Sequence, residues 1–233
     1  MLKRTRSSWA RQRVAAAGMS LVELLVGLTI GMFVVGGGLA VFARNLVGAR
    51  QVLAETRLNQ DLRSAVDVIT RDVRRSGYWG NAILGTQTVG ASASTTANPY
   101  TAVSAASSSE LSYAFSTDSS VDNNTLDTAE QFGVRLNGST LQMRTDGGSW
   151  VDITDSASLN ITSFSITPTT TTLPLGQFCA RTCAVGAPNC PTVSVRSVSI
   201  VVQGRSVQDS TLERAMRSQV RLRNDQISGS CPA

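Results

Sequence analysis

The hydrophobic and polar positions divide the chain into zones of different pattern. Residues 24–43 form a run of 20 residues without a charged side chain. As a helix this run is about 30 Å long, which matches the hydrocarbon core of a bilayer. From Arg44 onward, apolar residues recur at three- and four-residue spacing, which predicts an amphipathic helix packed on a globular part. These apolar positions are Leu58, Leu62, Ala65 or Val66, Ile69 and Val73.

Both helical patterns belong to one predicted element. No proline interrupts residues 19–77, and Gly77 is a typical stop signal. We therefore predict a single helix about 80 Å long at 1.5 Å per residue. Its first half is expected in a membrane or a filament core, and its second half on the globular part.

Alternation of apolar and polar residues predicts an antiparallel sheet after the helix. The remainder of the Ser/Thr-rich segment 85–125 is predicted to be a long surface loop, and the Thr169–Thr172 run is expected to follow a strand rather than belong to it. The fold class is therefore α+β, with one long N-terminal helix. The strand signals lie at residues 111–115, 132–136, 141–143, 150–153, 159–166, 193–202 and 216–222, with turns at 137–140 and 146–148.

The last strand has two different faces. Met216, Ser218, Val220 and Leu222 share one face, whereas the alternate positions carry Arg217, Gln219, Arg221 and Arg223. We expect the second face to be solvated, with an acidic partner as the alternative interpretation.

Charge and composition exclude several function classes. The chain contains no histidine, which excludes His-based acid–base catalysis, Ser-His-Asp triads and His-ligated metal sites. Of the 21 basic residues, five precede Gly18, which leaves 16 basic and 16 acidic residues in the remainder. The basic character is therefore confined to a short tail and does not indicate nucleic-acid binding. The positive-inside bias predicts residues 1–18 in the cytoplasm and the chain after Arg44 outside it.

Glu23 is the single charged residue between Gly18 and Arg44. A carboxylate at the edge of a membrane helix costs free energy unless a cation compensates it or it remains solvated at the headgroups. Cleavage after Gly18 would create such a cation, the α-amino group of Met19. An ordinary secretory signal ending at Val41-Phe42-Ala43 is a competing interpretation, although the apolar core of such signals is usually about 7 to 15 residues long.

The segment Gly18-Met19-Ser20-Leu21-Val22-Glu23-Leu24-Leu25, between a basic leader and an apolar run, resembles the class III signal of type IV pilins and pseudopilins. The resemblance implies that prepilin peptidase cuts between Gly18 and Met19 and that Met19 is then N-methylated. It also implies that Glu23 pairs with the terminal amine of a neighbouring subunit during assembly. The chain departs from the family at Met19, where phenylalanine is most frequent, and at Ala40, where major pilins often carry proline.

Two further segments resemble PilW-type minor pilins. Residues 67–80 resemble the helix end of that family, which has an Arg-Asp-Leu-Arg-x-x-Gly-Tyr pattern, and residues 216–224 resemble its final strand. The resemblance implies a leader over 1–18, a transmembrane or filament-core helix over 19–43, its amphipathic continuation over 44–77 and a β-rich domain over 78–233. It implies a minor pilin that primes type IV pilus assembly, near the tip. The alternatives are a J-type pseudopilin of type II secretion and a single-span membrane-anchored binding protein.

The same resemblance implies partners and location. The partners are other minor and major pilins through the N-terminal helix, prepilin peptidase with its methyltransferase activity, the inner-membrane assembly platform and a tip adhesin. Before assembly the chain would cross the bacterial inner membrane once, with its C-terminal domain in the periplasm. After assembly it would belong to a surface pilus serving twitching motility or DNA uptake.

Four cysteines lie in the part predicted to be exported, where an even count favours two disulfides. The sequence does not choose among the three possible pairings of Cys179, Cys183, Cys190 and Cys231. Zinc is disfavoured, because the spacing of three and then six intervening residues is unlike a zinc knuckle and no histidine is available. We also find no phosphate-binding loop and no nucleophile elbow, and predict a protein without catalytic residues, metal or cofactor.

Overall fold

The computed structural model describes residues 18–85, 96–118, 121–183 and 189–232. The predicted leader, apart from Gly18, lies outside these residues. The chain divides into two compact units, with the boundary between Gln51 and Val52.

The N-terminal helix, α1, extends over Leu21–Val73 without a break. In the first unit, every described side chain from 18 to 51 is exposed. Within the described part of the chain, α1 is the one helix long and apolar enough to cross a membrane. Secretory signals and the core helices of soluble proteins can have the same length and composition. In α1, however, no residue of the apolar 18-residue stretch is buried. The helix is therefore consistent with a membrane anchor or signal.

In the second unit, the C-terminal part of α1 packs through the stripe predicted from the sequence. Both Ala65 and Val66 belong to this stripe, which settles the choice left open there. The helix approaches one strand closely at Gly204, where a Cβ atom would lie 2.9 Å from Leu159 Cδ1 and 3.2 Å from Leu62 Cδ2. The buried residues of α1 are Leu58, Leu62, Ala65, Val66, Ile69 and Val73.

Two antiparallel sheets complete the second unit. The first sheet has the strand order β1-β2-β3-β4-β5, and the second has the order β6-β7-β8, with the short β9 paired to the beginning of β7. The strands are β1 Val103–Ser107, β2 Glu110–Ala114, β3 Gln131–Asn137, β4 Thr140–Arg144, β5 Trp150–Asp152, β6 Leu159–Pro174, β7 Thr192–Ser206, β8 Glu213–Arg221 and β9 Gln226–Ser228.

The sheets are joined at the outer edge of β6. Ile161 N–H donates to Ser139 O over 2.9 Å, and Ile166 N–H donates to Ser108 O over 2.8 Å. Both acceptors lie in hairpin turns of the first sheet. A continuous apolar core, contributed by α1 and one face of each sheet, confirms the predicted α+β class.

The free part of the β6 edge carries two prolines. Because the Ile166 N–H faces away from β7, alternation places the peptide groups of Pro168, Thr170, Thr172 and Pro174 on the same side. Proline has no N–H to donate, so its ring at an outward position removes no hydrogen bond to β7. This placement allows β6 to remain paired with β7 along its entire length.

Three sequence predictions need correction. The Thr169–Thr172 run lies inside β6, because Thr169 to Thr172 pair with Ser197 to Ser194 of β7. The segment 85–125 contains β1 in addition to the predicted strand at β2, while its residues 86–95 and 119–120 lie outside the described part. The helix ends at Val73 rather than at Gly77. The turns at Gly138-Ser139 and Asp146-Gly147 are confirmed.

Candidate functional site

The first candidate site is the segment where processing is predicted. Gly18, Met19 and Ser20 precede the helix, which begins at Leu21. Met19 is 69% exposed, and a Cβ atom on Gly18 would meet nothing within 4 Å. The fold itself therefore does not require glycine at position 18.

Glu23 lies in the first turn of α1, with an exposed side chain. The partial positive charge of the helix N-terminus stabilises a carboxylate at this place. In the uncut chain, the nitrogen of Met19 belongs to a peptide bond and carries no charge. Glu23 thus lies four residues after Met19, and cutting the proposed Gly18–Met19 bond would create the cation.

A second group of residues forms a junction at the C-terminal end of α1. Gly77 has φ +79°, and its N–H donates to Ala114 O over 2.9 Å. The carbonyl of Gly77 accepts hydrogen bonds from Asn98 Nδ2 at 3.0 Å and from Asn224 Nδ2 at 2.9 Å. The Arg223 N–H donates to the carbonyl of the buried Ser76. The motif at the helix end thereby connects α1 to both sheets.

The charged residues of this motif contact the first sheet. Arg75 lies over the Phe115 ring, with its guanidinium carbon 4.0 Å from the ring centroid. The Tyr113 hydroxyl donates to Asp72. Burial raises the pKa of Asp72, although the Tyr113 hydrogen bond and the nearby Arg75 oppose this shift. Packing and hydrogen bonding between α1 and the sheets therefore explain the residues of this motif.

Beyond the junction, Asp122 is a buried carboxylate that sequence analysis missed. Its side chain accepts hydrogen bonds from Gly80 N–H at 2.9 Å, Tyr100 Oη at 3.0 Å and Asn124 N–H at 2.8 Å. Trp79 Nε1 donates to Asn124 Oδ1 over 2.9 Å. Burial alone would raise the pKa of Asp122, but hydrogen bonds from Ser116 and from these donors hold the pKa below its usual value.

Asp122→Asn is expected to lower the free energy of unfolding by about 2 kcal/mol at pH 7, because an amide places donors against buried donors. A depressed folded-state pKa stabilises the native state above the unfolded pKa of about 3.9 and loses this effect as the pH falls through the folded value. The difference between wild type and variant should therefore shrink at pH 3. Urea unfolding of the full chain in detergent at both pH values measures it. The matched control is Asp118→Asn, which changes an exposed carboxylate of the same loop; an equal loss there would contradict the role of Asp122.

The cysteines form two disulfides, as expected for an exported domain. Cys179 pairs with Cys231, with 5.4 Å between their Cα atoms, and Cys183 pairs with Cys190, with 5.8 Å. The first bond joins the chain after β6 to the C-terminal segment. Among the described residues, no group of three or more His, Cys, Asp or Glu side chains is arranged to hold a metal ion.

The face of β8 that carries arginines is exposed, as predicted. Arg217, Gln219 and Arg221 are exposed, whereas Val220 and the following Leu222 are buried. Arg221 forms an ion pair with Asp225.

Comparison with known proteins identifies the family. A family model described as "Prepilin peptidase-dependent protein B" matches residues 51–222. The chain belongs to this family. Prepilin peptidase-dependent protein B proteins are prepilin-like structural proteins of the minor pilin type, and membership implies processing by prepilin peptidase. The match contains the helix-end motif and β8, and it begins after the segment with Gly18, Met19 and Glu23. Neither a curated protein nor a solved structure matches the chain.

Proposed function

We propose that this chain is a PilW-like minor pilin that takes part in priming type IV pilus assembly, in a complex with other minor pilins near the pilus tip. The observation that carries the proposal is the isolated Glu23 in an exposed, otherwise uncharged helix, five residues after a glycine that the fold does not require. Family membership supports the processing step.

The proposed sequence of events begins with prepilin peptidase cutting the Gly18–Met19 bond on the cytoplasmic side. N-methylation of Met19 leaves the new terminal nitrogen a basic amine, which can still carry a positive charge. The apolar helix holds the subunit in the inner membrane, with the domain after residue 78 in the periplasm. On assembly, the Glu23 carboxylate pairs with the terminal amine of a neighbouring subunit, and good geometry is needed because an unpaired buried charge is costly.

The exposed surface of α1 supports packing against other helices. Thr29, Met32, Phe33, Gly36 and Gly37 line a shallow, open groove on one side of this helix. Phe33 itself is 84% exposed. Small residues let helices approach closely in apolar surroundings, and a projecting aromatic ring can fill the groove of a neighbour. Similar helices from other pilins are the proposed occupants.

The mass of the mature N-terminus tests the proposal. For the full chain isolated from its host membrane, we expect a polypeptide that begins at Met19 and carries one methyl group. Gly18→Val should retain the arginine-rich leader, whereas Gly27→Val should be cut normally; both positions have open space for a side chain. A wild-type chain that begins at Met1 or at Arg44 would overturn the proposal.

A J-type pseudopilin of type II secretion would give the same mature N-terminus. Its filament would form beside secretion proteins rather than in surface pili. Recovery of the chain in pili sheared from the cell surface supports the minor pilin. Recovery in the cell envelope alone, with loss of protein secretion when the gene is deleted, supports the pseudopilin instead.

A further inference from the structure

At the end of the second sheet where β9 pairs with β7, one exposed face is aliphatic and the other is polar. The register aligns Leu173, Val193 and Ile227 as one cross-strand row over β6, β7 and β9. The adjacent positions on the other face carry Thr172, Ser194 and Gln226. Leu173 is 48% exposed and Ile227 55% exposed. Solvent alone gives no reason for one exposed face to be aliphatic and the other polar.

The aliphatic row lies on the side of the sheet opposite to the core. Along β7, Val198, Ile200 and Val202 are buried against the core, so alternation directs Val193, Ser197 and Val201 to the other side. We call this side, defined by these three β7 residues and their paired neighbours on β6, β8 and β9, the outer face. Along β7 from Val193 toward Val201, the side chains of the outer face change from aliphatic to hydroxyl-bearing and basic.

The charges of the outer face lie on β7, β8 and the segment before β9. Arg221 pairs with Ser197 and Arg217 with Val201, about 13 and 26 Å along the strand from Val193. Arg221 is already bound to Asp225, and Arg205 lies opposite Glu213. Arg217 is exposed, and in the described ranges no carboxylate lies within 4 Å of its guanidinium. The outer face thus has an apolar end at Val193 and, farther along the strands, the Arg217 guanidinium, which no described carboxylate neutralises.

We propose that the outer face is a docking surface for a different protein, whose contact surface combines aliphatic side chains with a carboxylate for Arg217. A second copy of the chain fits poorly, because the described outer face offers no unpaired carboxylate for Arg217: Glu213 lies opposite Arg205, and Asp225 is bound to Arg221. Nucleic acid also fits poorly, because a phosphate backbone offers no counterpart to the Leu173–Val193–Ile227 row. Protein interfaces commonly combine an apolar core with arginine, which is enriched there. The proposal concerns the globular unit and goes beyond the processing of the N-terminus.

Photo-crosslinking of the full chain in its host tests the proposal at two adjacent positions. Thr171 lies on the outer face and Thr172 on the inner face of the same exposed strand. A photoreactive phenylalanine derivative replaces each in turn. We expect about tenfold more adduct from position 171 than from position 172, because alternation along the strand directs only position 171 toward the partner. Mass spectrometry should identify a partner peptide that contains Asp or Glu.

A second experiment tests the predicted role of Arg217 by reversing its charge. Arg217→Glu should reduce the adduct from position 171 about tenfold, whereas Arg217→Lys should retain most of it. The matched control is Arg63→Glu, which makes the same charge change on the exposed side of α1 and should leave the adduct unchanged. Intact mass in the same samples verifies both disulfides and the mature N-terminus, so a processing failure is recognised separately.

Four outcomes would overturn the inference. The first is an equal yield from positions 171 and 172, which includes no adduct from either position. The second is an adduct with another copy of the chain, and the third is an adduct that nuclease removes. The fourth is an adduct that forms at full yield in Arg217→Glu.

Discussion

Replacing Glu23 with alanine is expected to reduce the entry of the chain into pili about a hundredfold, while cleavage after Gly18 continues. Removing one member of a buried ion pair leaves the other charge uncompensated, which costs about 3 kcal/mol or more. The uncompensated group here would be the amine that cleavage creates at Met19. Immunoblots of pili sheared from cells measure entry, and the mass of the membrane-held chain measures cleavage.

The controls for Glu23 separate its charge from its shape. Glu23→Gln keeps the shape but removes the charge, and should behave like the alanine variant. Asp67→Asn removes an exposed carboxylate from the second half of the same helix and should enter pili normally. Wild-type amounts of both Glu23 variants in sheared pili would remove the proposed role of this residue.

Removal of the Cys179–Cys231 disulfide is expected to have the largest effect on stability. A crosslink over 52 positions restricts the unfolded chain more than one over 7 positions does. Loop entropy predicts a loss of about 4 kcal/mol for Cys179→Ala with Cys231→Ala, and about 2.5 kcal/mol for Cys183→Ala with Cys190→Ala. Urea unfolding of the full chain in detergent, followed by tryptophan fluorescence, measures both values.

Each disulfide serves as the control for the other, because both double variants remove two sulfur atoms from neighbouring loops. The longer link also holds the C-terminal segment that continues from β9. In its absence we expect the amides of Thr192 and Ser194, which pair with β9, to exchange hydrogen faster. The interpretation fails if loss of the shorter link costs as much stability as loss of the longer one.

The helix and the best strands were predictable because each has one buried face. The spacing of Leu62, Ile69 and Val73 reflects a helix with one side against the sheets, and alternation along β7 reflects a strand with one side in the core. By contrast, β1 contains small residues without alternation, and its pairing with β2 makes it a strand. The Thr169–Thr172 run was expected to follow the strand, although β-branched residues suit extended backbone when a partner strand is available.

The candidate sites also differ in how far the sequence could predict them. Glu23 could be proposed from the sequence alone, because a charged residue in an apolar run is costly without a compensating partner. Asp122 was missed because its surroundings are rich in Ser, Thr and Asn, a composition typical of solvated loops. The Asp122-Asn123-Asn124 stretch, which favours side-chain hydrogen bonds to the backbone, was the available signal. Disulfide pairing depends on which loops meet in space, so four cysteines could not specify it.

If the chain is held in a membrane before assembly, as proposed, the prolines at the free edge of β6 affect how crowded subunits interact. A strand that approaches this edge finds no donor at Pro168 or Pro174, so edge-to-edge polymerisation of crowded domains is disfavoured there. In the proposed minor pilin, subunits that await assembly could then be held at high density without forming β-linked aggregates. Growth of the proposed filament would then depend on contacts other than edge-to-edge pairing of β6.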